Sequence, residues 1–196
     1  LNTEATRELL DAEGYDALVI AVGSTPVVPP LGGIDKPHVH WAPEADSGAA
    51  AVGERTVVVG AGSVGVECAL GLRMRGKDVT LVEMAPDLSG LSASAGGAAM
   101  ELTALLEKYA IPVRHYCRLE EVTDGTVLCR DTRTGDIREF PADTVLLALG
   151  VTPRREEAEN LRRSAPETEV FVVGDAAEPG TIATAVRSAF RAAAYI

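Results

Sequence analysis

Thr56-Val57-Val58-Val59-Gly60-Ala61-Gly62-Ser63-Val64-Gly65 is the stretch on which the fold turns. An uninterrupted apolar run of this kind, closed by glycine, predicts a strand buried on both faces of a parallel sheet. Ser63 to Arg75 predicts a helix, with Arg73 and Arg75 in its last turn and Gly76 just beyond, all favourable stop signals. Asp78-Val79-Thr80-Leu81-Val82-Glu83 is the next strand, and its terminal acid lies eighteen residues after Gly65. Gly-x-Gly-x-x-Gly alone is a weak signal. Between a strand and a helix, with an acid about 20 residues on, it is the dinucleotide-binding fingerprint.

Each position of the fingerprint has a physical task. Gly60 permits the tight turn, Gly62 lets a pyrophosphate approach the backbone, and Gly65 lets the helix pack closely on the strands. Ser63 and Val64 open the helix, whose free N–H groups and positive dipole end favour phosphate. Glu83 is placed to accept hydrogen bonds from the adenosine ribose, and its charge repels a 2′-phosphate, so NADH is expected over NADPH. Glu67, in the first helical turn, has two readings: an acid favourable to the helix dipole, or a group facing the nicotinamide end of the cleft. The bland alternative for the whole pattern is a glycine turn without a ligand.

Outward from this core, Pro86 to Gly97 is rich in Ser, Gly and Ala and is expected to be a flexible loop. A helix from about Ala98 to Tyr109 follows, with Met100, Leu102, Leu105 and Leu106 as its apolar stripe. Val113–Tyr116, Leu119–Thr123, Thr126–Arg130 and Ile137–Phe140 predict a β-meander, turning at Asp124-Gly125 and Thr134-Gly135-Asp136. Buried strands are expected at Asp143–Leu149 and Val170–Val173. The last, followed by Gly174-Asp175, precedes an Ala-rich helix from Thr181 that runs to Ile196 without a stop signal. On the other side, Asp16–Gly23 is a buried strand and Ser24–Pro37 a proline- and glycine-rich loop.

The strand-and-loop Asp16-Ala-Leu-Val-Ile-Ala-Val-Gly-Ser-Thr-Pro26 is echoed by Asp143-Thr-Val-Leu-Leu-Ala-Leu-Gly-Val-Thr-Pro153. Asp, Ala, Gly, Thr and Pro coincide, which points to two related units. The second is complete from Val57; the first has no glycine turn of its own in the chain. The expected fold class is therefore α/β: a Rossmann-like parallel sheet with a crossover β-meander, the nucleotide-binding unit, flanked by a partial second unit. The expected boundaries are 1–51, 52–153 and 154–196.

Composition narrows the function. The chain has 196 residues, 46% hydrophobic and 24% charged, with a formal net charge of −11. A surplus of acids disfavours nucleic acid, and no apolar run approaches the ~20 residues of a membrane span. Cys68, Cys117 and Cys129 form no CxxC pair, which fits packing roles in a reducing compartment and leads us to expect a cytoplasmic protein. His38, His40 and Trp41 cluster after the proline-rich loop, too few ligands for a metal site. A first residue other than Met and an unfinished last helix are expected of a piece of a longer polypeptide.

The ordered pieces resemble the two-dinucleotide flavoproteins of the pyridine nucleotide-disulfide oxidoreductase family, over nearly the whole chain. "IAVGSTP" and "LALGVTP" are similar to that family's crossover segments, and "VFVVGDA" to its Gly-Asp element beside the flavin. More finely, "VVVGAGSVGVECALGLRMRGKDVTLVEMAPDL" and "VGDAAEPGTIATAVRSAFRAA" resemble the C-terminal region of the old-yellow-enzyme-like NADH:flavin oxidoreductases, the group of 2,4-dienoyl-CoA reductase and trimethylamine dehydrogenase. The resemblance implies an NADH-dependent flavoenzyme in which hydride passes from NADH to FAD, with FMN in a barrel and a 4Fe-4S cluster elsewhere in the parent. It implies cofactor contacts at Ala21, Gly23 and Gly150 in the crossovers and at Gly174, Asp175, Thr181 and Ile182 around the Gly-Asp element. For Asp175 a plain turn or capping role is the alternative. The implied partners are the N-terminal half of the FAD unit and the FMN barrel of the same polypeptide, with possible self-association; the isolated chain is expected to be inactive. No catalytic acid or base is assigned, since hydride transfer needs none. Rival readings are part of a thiol-disulfide flavoprotein reductase, a non-catalytic dinucleotide-binding module, and a methyltransferase, against which the Gly-Asp ending and the echo weigh.

Overall fold

Five β-branched or polar-edged residues, Arg55 to Val59, sit at the centre of a parallel sheet because both of its faces are covered. In the computed structural model, which describes residues 2–196, the elements run α1 (Arg7–Glu13), β1 (Ala17–Ile20), β2 (Ser24–Pro26), β3 (Val39–Trp41), α2 (Ala42–Asp46), β4 (Arg55–Val59), α3 (Ser63–Met74), β5 (Asp78–Val82), α4 (Ser89–Ala95), α5 (Ala99–Lys108), β6 (Val113–Arg114), β7 (Cys117–Val122), β8 (Thr126–Asp131), β9 (Ile137–Pro141), β10 (Thr144–Leu147), β11 (Val151–Pro153), α6 (Arg155–Ser164), β12 (Glu169–Val172) and α7 (Ile182–Ala193). They form two compact units, Val28–Leu149 and the remainder, which is the chain up to Val27 with Gly150–Ile196.

The larger unit is the α/β body expected from the fingerprint. Its parallel sheet has the order β3-β10-β4-β5-β6. Val58 joins the core shared with α2, α3, α4 and α5, where Val66, Leu72 and Leu91 are buried. Val57 and Val59 join the core on the opposite face, shared with the meander through Cys117, Leu119, Val127 and Cys129. This alternation is why an all-apolar strand is required here. The meander is the antiparallel sheet β7-β8-β9.

Several expectations for this unit are corrected. Val113–Tyr116 is not the first strand of the meander. Val113 and Arg114 pair in parallel with β5, and the chain turns at Tyr116, where φ is 60°. Pro86–Gly97 is not a bare loop, since Leu91 anchors the helix α4 in the core and the single turn Gly96–Ala98 follows. Met100 lies outside the α5 stripe and is 82% exposed, whereas Leu106 is buried and Leu102 and Leu105 pack beside it. Two residues before Leu102, Met100 falls on the far side of the helix.

The smaller unit pairs the ends of the chain. β1 and β12 form a two-stranded parallel sheet, Ile20 opposite Val172. β2 and β11, the loops of the sequence echo, pair with each other antiparallel, Thr25 opposite Thr152, and the two threonine hydroxyls are 3.3 Å apart. Gly23 and Gly150 hold equivalent left-handed conformations, φ 77° and 85°, just before these short strands. The expectation that Asp16–Gly23 is fully buried does not hold: Val19 is 45% exposed and Ile20 is the buried residue of β1. Among the described residues no further strand flanks this pair. Helix α7 ends at Ala193 rather than running on to Ile196.

The unit boundaries also differ from 51/52 and 153/154. Residues 28–51 fold with the larger unit, because β3 adds an edge strand to its sheet and Leu31 and Ile34 pack against the meander core. Residues 150–153 fold with the smaller unit through β11.

Candidate dinucleotide site

The site begins where β4 ends. Gly60 has φ 102°, and a Cβ there would lie 2.5 Å from the Ala148 carbonyl oxygen, so both conformation and space demand glycine. A Cβ on Gly65 would collide with the Gly60 carbonyl oxygen, which is the close helix–turn packing the third glycine permits. Gly62 differs. Its Cβ would meet only the Ser94 hydroxyl, at 3.6 Å. The space over Gly62 is therefore open to a ligand, whereas the other two glycines serve packing.

The first turn of α3 carries the exposed Val64 and Glu67 on one side and the buried Gly65 and Val66 on the other. Two amides of the glycine turn and helix start have partners. The Ala61 N–H donates to Glu83 Oε2 at 2.8 Å, and the Ser63 N–H donates to Ser94 Oγ at 2.9 Å. Glu83 directly follows β5, and its backbone continues the pairing through hydrogen bonds with Arg114 and Cys117. Its second oxygen accepts from the Ala85 N–H at 2.8 Å. Each carboxylate oxygen keeps capacity for another donor, so Glu83 lies against the glycine turn with room for ribose hydroxyls.

A cavity of about 630 Å³ opens beside the turn. Gly60, Gly62, Glu83 and Met84 form one wall, Cys117 to Glu120 another, and Pro29, Leu31, Ala148 and Leu149 close it. It lies at the carboxyl ends of β4, β5 and β10, where the strand order reverses, which is the ligand crevice of open α/β sheets. Pro29, Leu31 and the β7 residues escaped the sequence reading, because they reach the cavity through long-range packing. Two contacts clamp that wall: the Val122 N–H donates to the Gly32 carbonyl at 2.9 Å, and Lys36 pairs with Asp124 at 2.6 Å. The Lys36 ammonium holds the Asp124 carboxyl below its usual range. Glu120 is likewise lowered, first by its bond from Arg130.

The cysteines are packing groups. Cys68 contacts the Ala42 carbonyl at 3.7 Å, and burial pushes its thiol up to about 12, as it does that of Cys129. Such thiols are poor nucleophiles. His38 bonds the Thr123 carbonyl at 3.1 Å, and His40 lies 3.9 Å from Glu44.

The sequence-derived cofactor residues divide between the units. Gly60, Gly62, Ser63, Val64, Gly65, Glu67 and Glu83 belong to the larger one, whereas Ala21, Gly23, Gly150, Gly174, Asp175, Thr181 and Ile182 belong to the smaller. In the smaller unit the β1–β12 register brings Ala21–Gly23 beside Gly174-Asp175. Asp175 accepts from the Ser24 hydroxyl and the Gly180 N–H, both at 3.2 Å. Thr181 caps α7, accepting from the Thr184 N–H at 3.3 Å, and Ile182 is 86% exposed. Gly150 accepts from the Val27 N–H at 3.0 Å.

The family model for pyridine nucleotide-disulphide oxidoreductases matches residues 4–189. The chain belongs to the pyridine nucleotide-disulphide oxidoreductase family. It is 30% identical over 198 residues to the cinnamate reductase of Clostridium sporogenes, covering 100% of this chain and 29% of that one. It is 31% identical over 186 residues to the NADH oxidase of Methanocaldococcus jannaschii, covering 84% and 40%. A structure of 2-naphthoyl-CoA reductase in complex with 2-naphthoyl-CoA superposes with a TM-score of 0.84 at 26% identity, over 97% of this chain and 28% of that one. The chain thus spans well under half the length of these relatives.

Membership of the pyridine nucleotide-disulphide oxidoreductases implies sites for FAD and a pyridine nucleotide. The larger unit fits the second, since the open face of Gly62, the α3 amides and Glu83 converge on one crevice. The smaller unit fits part of a flavin site: two parallel strands end together and present Gly174-Asp175 beside the capped start of α7. Among the described residues no helix is long and apolar enough to cross a membrane.

Proposed function

We propose that this chain is the NADH-binding part of a flavin-dependent oxidoreductase that passes hydride from NADH to FAD. The observation that carries the reading is the glycine turn with open space over Gly62, facing Glu83 at the switch point of the sheet. When bound, NADH supplies the hydride and FAD accepts it. The protein's own residues bind and orient. Ser63 and Val64 offer amide N–H groups to the pyrophosphate, Gly62 gives it access, and Glu83 receives the ribose and disfavours a 2′-phosphate. Glu67, exposed on the first turn of α3, is free to face the nicotinamide end. No residue is required to move a proton for hydride transfer itself.

The finer assignment, to the old-yellow-enzyme-like NADH:flavin oxidoreductases, is supported by the matches to cinnamate reductase and 2-naphthoyl-CoA reductase across essentially the whole chain. On that reading the smaller unit is part of an FAD-binding unit completed by further residues of one polypeptide, with FMN and a 4Fe-4S cluster held in another domain, in the cytoplasm. Its support is surface chemistry. Ile182, Val186 and Phe190, at helical spacing on α7, are 86%, 62% and 74% exposed, a row that a covering partner would bury.

A fluorescence titration of the chain with NADH and NADPH tests the proposal. NADH should bind and NADPH bind at least about tenfold more weakly, a difference expected from one carboxylate against a 2′-phosphate. Equal affinities would remove Glu83 from its role, and no binding of either would remove the function.

A further inference from the structure

Ser94 occupies a position that the fingerprint does not explain. It lies in α4, a segment whose small residues suggest only a linker, yet its hydroxyl is delivered to the opening amide of α3. Ser94 Oγ accepts from the Ser63 N–H at 2.9 Å and donates to the Gly90 carbonyl at 2.8 Å; it also lies 3.3 Å from the Leu91 carbonyl. The same oxygen is the atom that a Cβ on Gly62 would meet, at 3.6 Å. The hydroxyl therefore stands over the open face of Gly62 and on the amide that a phosphate oxygen needs. Leu91, three residues earlier and fully buried, fixes α4 in place, so the serine is held there by packing.

We infer that Ser94 is a built-in cap on the dinucleotide turn, which the pyrophosphate must displace from the Ser63 amide on binding. The inference rests on the dinucleotide reading above and adds a residue that sets affinity. A phosphate oxygen carries charge and a hydroxyl does not, so the amide at a helix N-terminus prefers the phosphate. The cap satisfies that amide in the free protein and lowers the net gain on binding. Removing the hydroxyl leaves the pyrophosphate only water to displace.

The test is isothermal titration of NADH into the full chain and its Ser94→Ala and Ser94→Thr variants, with amide hydrogen exchange at Ser63. Ser94→Ala should bind NADH about threefold more tightly, the scale of one neutral hydrogen bond, and Ser94→Thr, which keeps the hydroxyl, should stay near the wild type. Without ligand, the Ser63 amide should exchange faster in Ser94→Ala than in the wild type, and with NADH both should be protected. Binding by Ser94→Ala at or below the wild-type affinity, or unchanged exchange at Ser63, would overturn the cap while leaving the dinucleotide reading intact. A wild-type chain that binds no NADH would overturn both.

Discussion

Gly62 and Gly65 are three residues apart, yet they do different work. The space around Gly65 is filled by the Gly60 carbonyl, whereas the space over Gly62 is empty but for the Ser94 hydroxyl. Gly62→Val should therefore leave the fold intact and abolish NADH binding, which calorimetry on a variant with wild-type circular dichroism would check. Unchanged affinity in the folded variant would mean that no pyrophosphate uses this turn. At the start of β4, Thr56 is 2% exposed and its hydroxyl oxygen has no hydrogen-bond partner. A buried hydroxyl without a partner is a cost that an isosteric methyl avoids. Thr56→Val should raise stability by about 1 kcal/mol in denaturant unfolding; a loss would mean that the hydroxyl is satisfied in solution.

Strands β4 and β10 show how an element is fixed by its ends. Asp143, just before β10, accepts from the Arg55 backbone N–H at 2.9 Å and from its guanidinium at 2.5 Å. The Arg55 side chain, as the main cause, holds the Asp143 carboxyl at about 2, against an ordinary 3.8. A carboxyl lowered on folding stabilises above its unfolded value and loses that contribution as pH falls through its folded one. Asp143→Ala should thus lower the melting temperature between pH 5 and pH 8, and the gap to the wild type should close as pH approaches about 2. A gap that persists at the acid end would assign the effect to packing. At the same scale, α4 was hidden by composition. Ser89, Gly90, Ser92 and Ser94 are poor helix formers that offset its alanines, and the burial of Leu91 in the core shared with α3 and α5 supports the helix.

At the scale of the molecule, the two units carry different features. The larger has a glycine turn, an acid hydrogen-bonded to that turn and a crevice. The smaller has Gly174-Asp175 and a capped helix, but the one Gly-x-Gly-x-x-Gly of the sequence belongs to the other unit. Residues 1–196 alone should bind NADH, purify without flavin and oxidise no NADH, because an FAD pyrophosphate has no glycine turn to receive it. A yellow preparation with a flavin absorbance band, or NADH oxidation by the chain by itself, would contradict this division.

The sequence by itself determined what is local. Val57 to Gly65 and Glu83 lie within one βαβ unit, so period, glycine chemistry and spacing sufficed to read the strand, the glycine turn, the helix and the acid beside the turn. The echo of Asp16–Pro26 in Asp143–Pro153 was visible too, and its meaning was not: β2 and β11 are partners of each other, a pairing across more than a hundred residues that no local pattern encodes. Tertiary structure alone decided that Val113 completes the parallel sheet, that residues 28–51 fold with the larger unit, that Met100 faces solvent and that Ser94 caps the turn. These outcomes rest on contacts with residues remote in the chain, strand pairing for Val113, burial for residues 28–51 and a hydrogen bond for Ser94, and apolar character at one position does not say which remote surface will cover it.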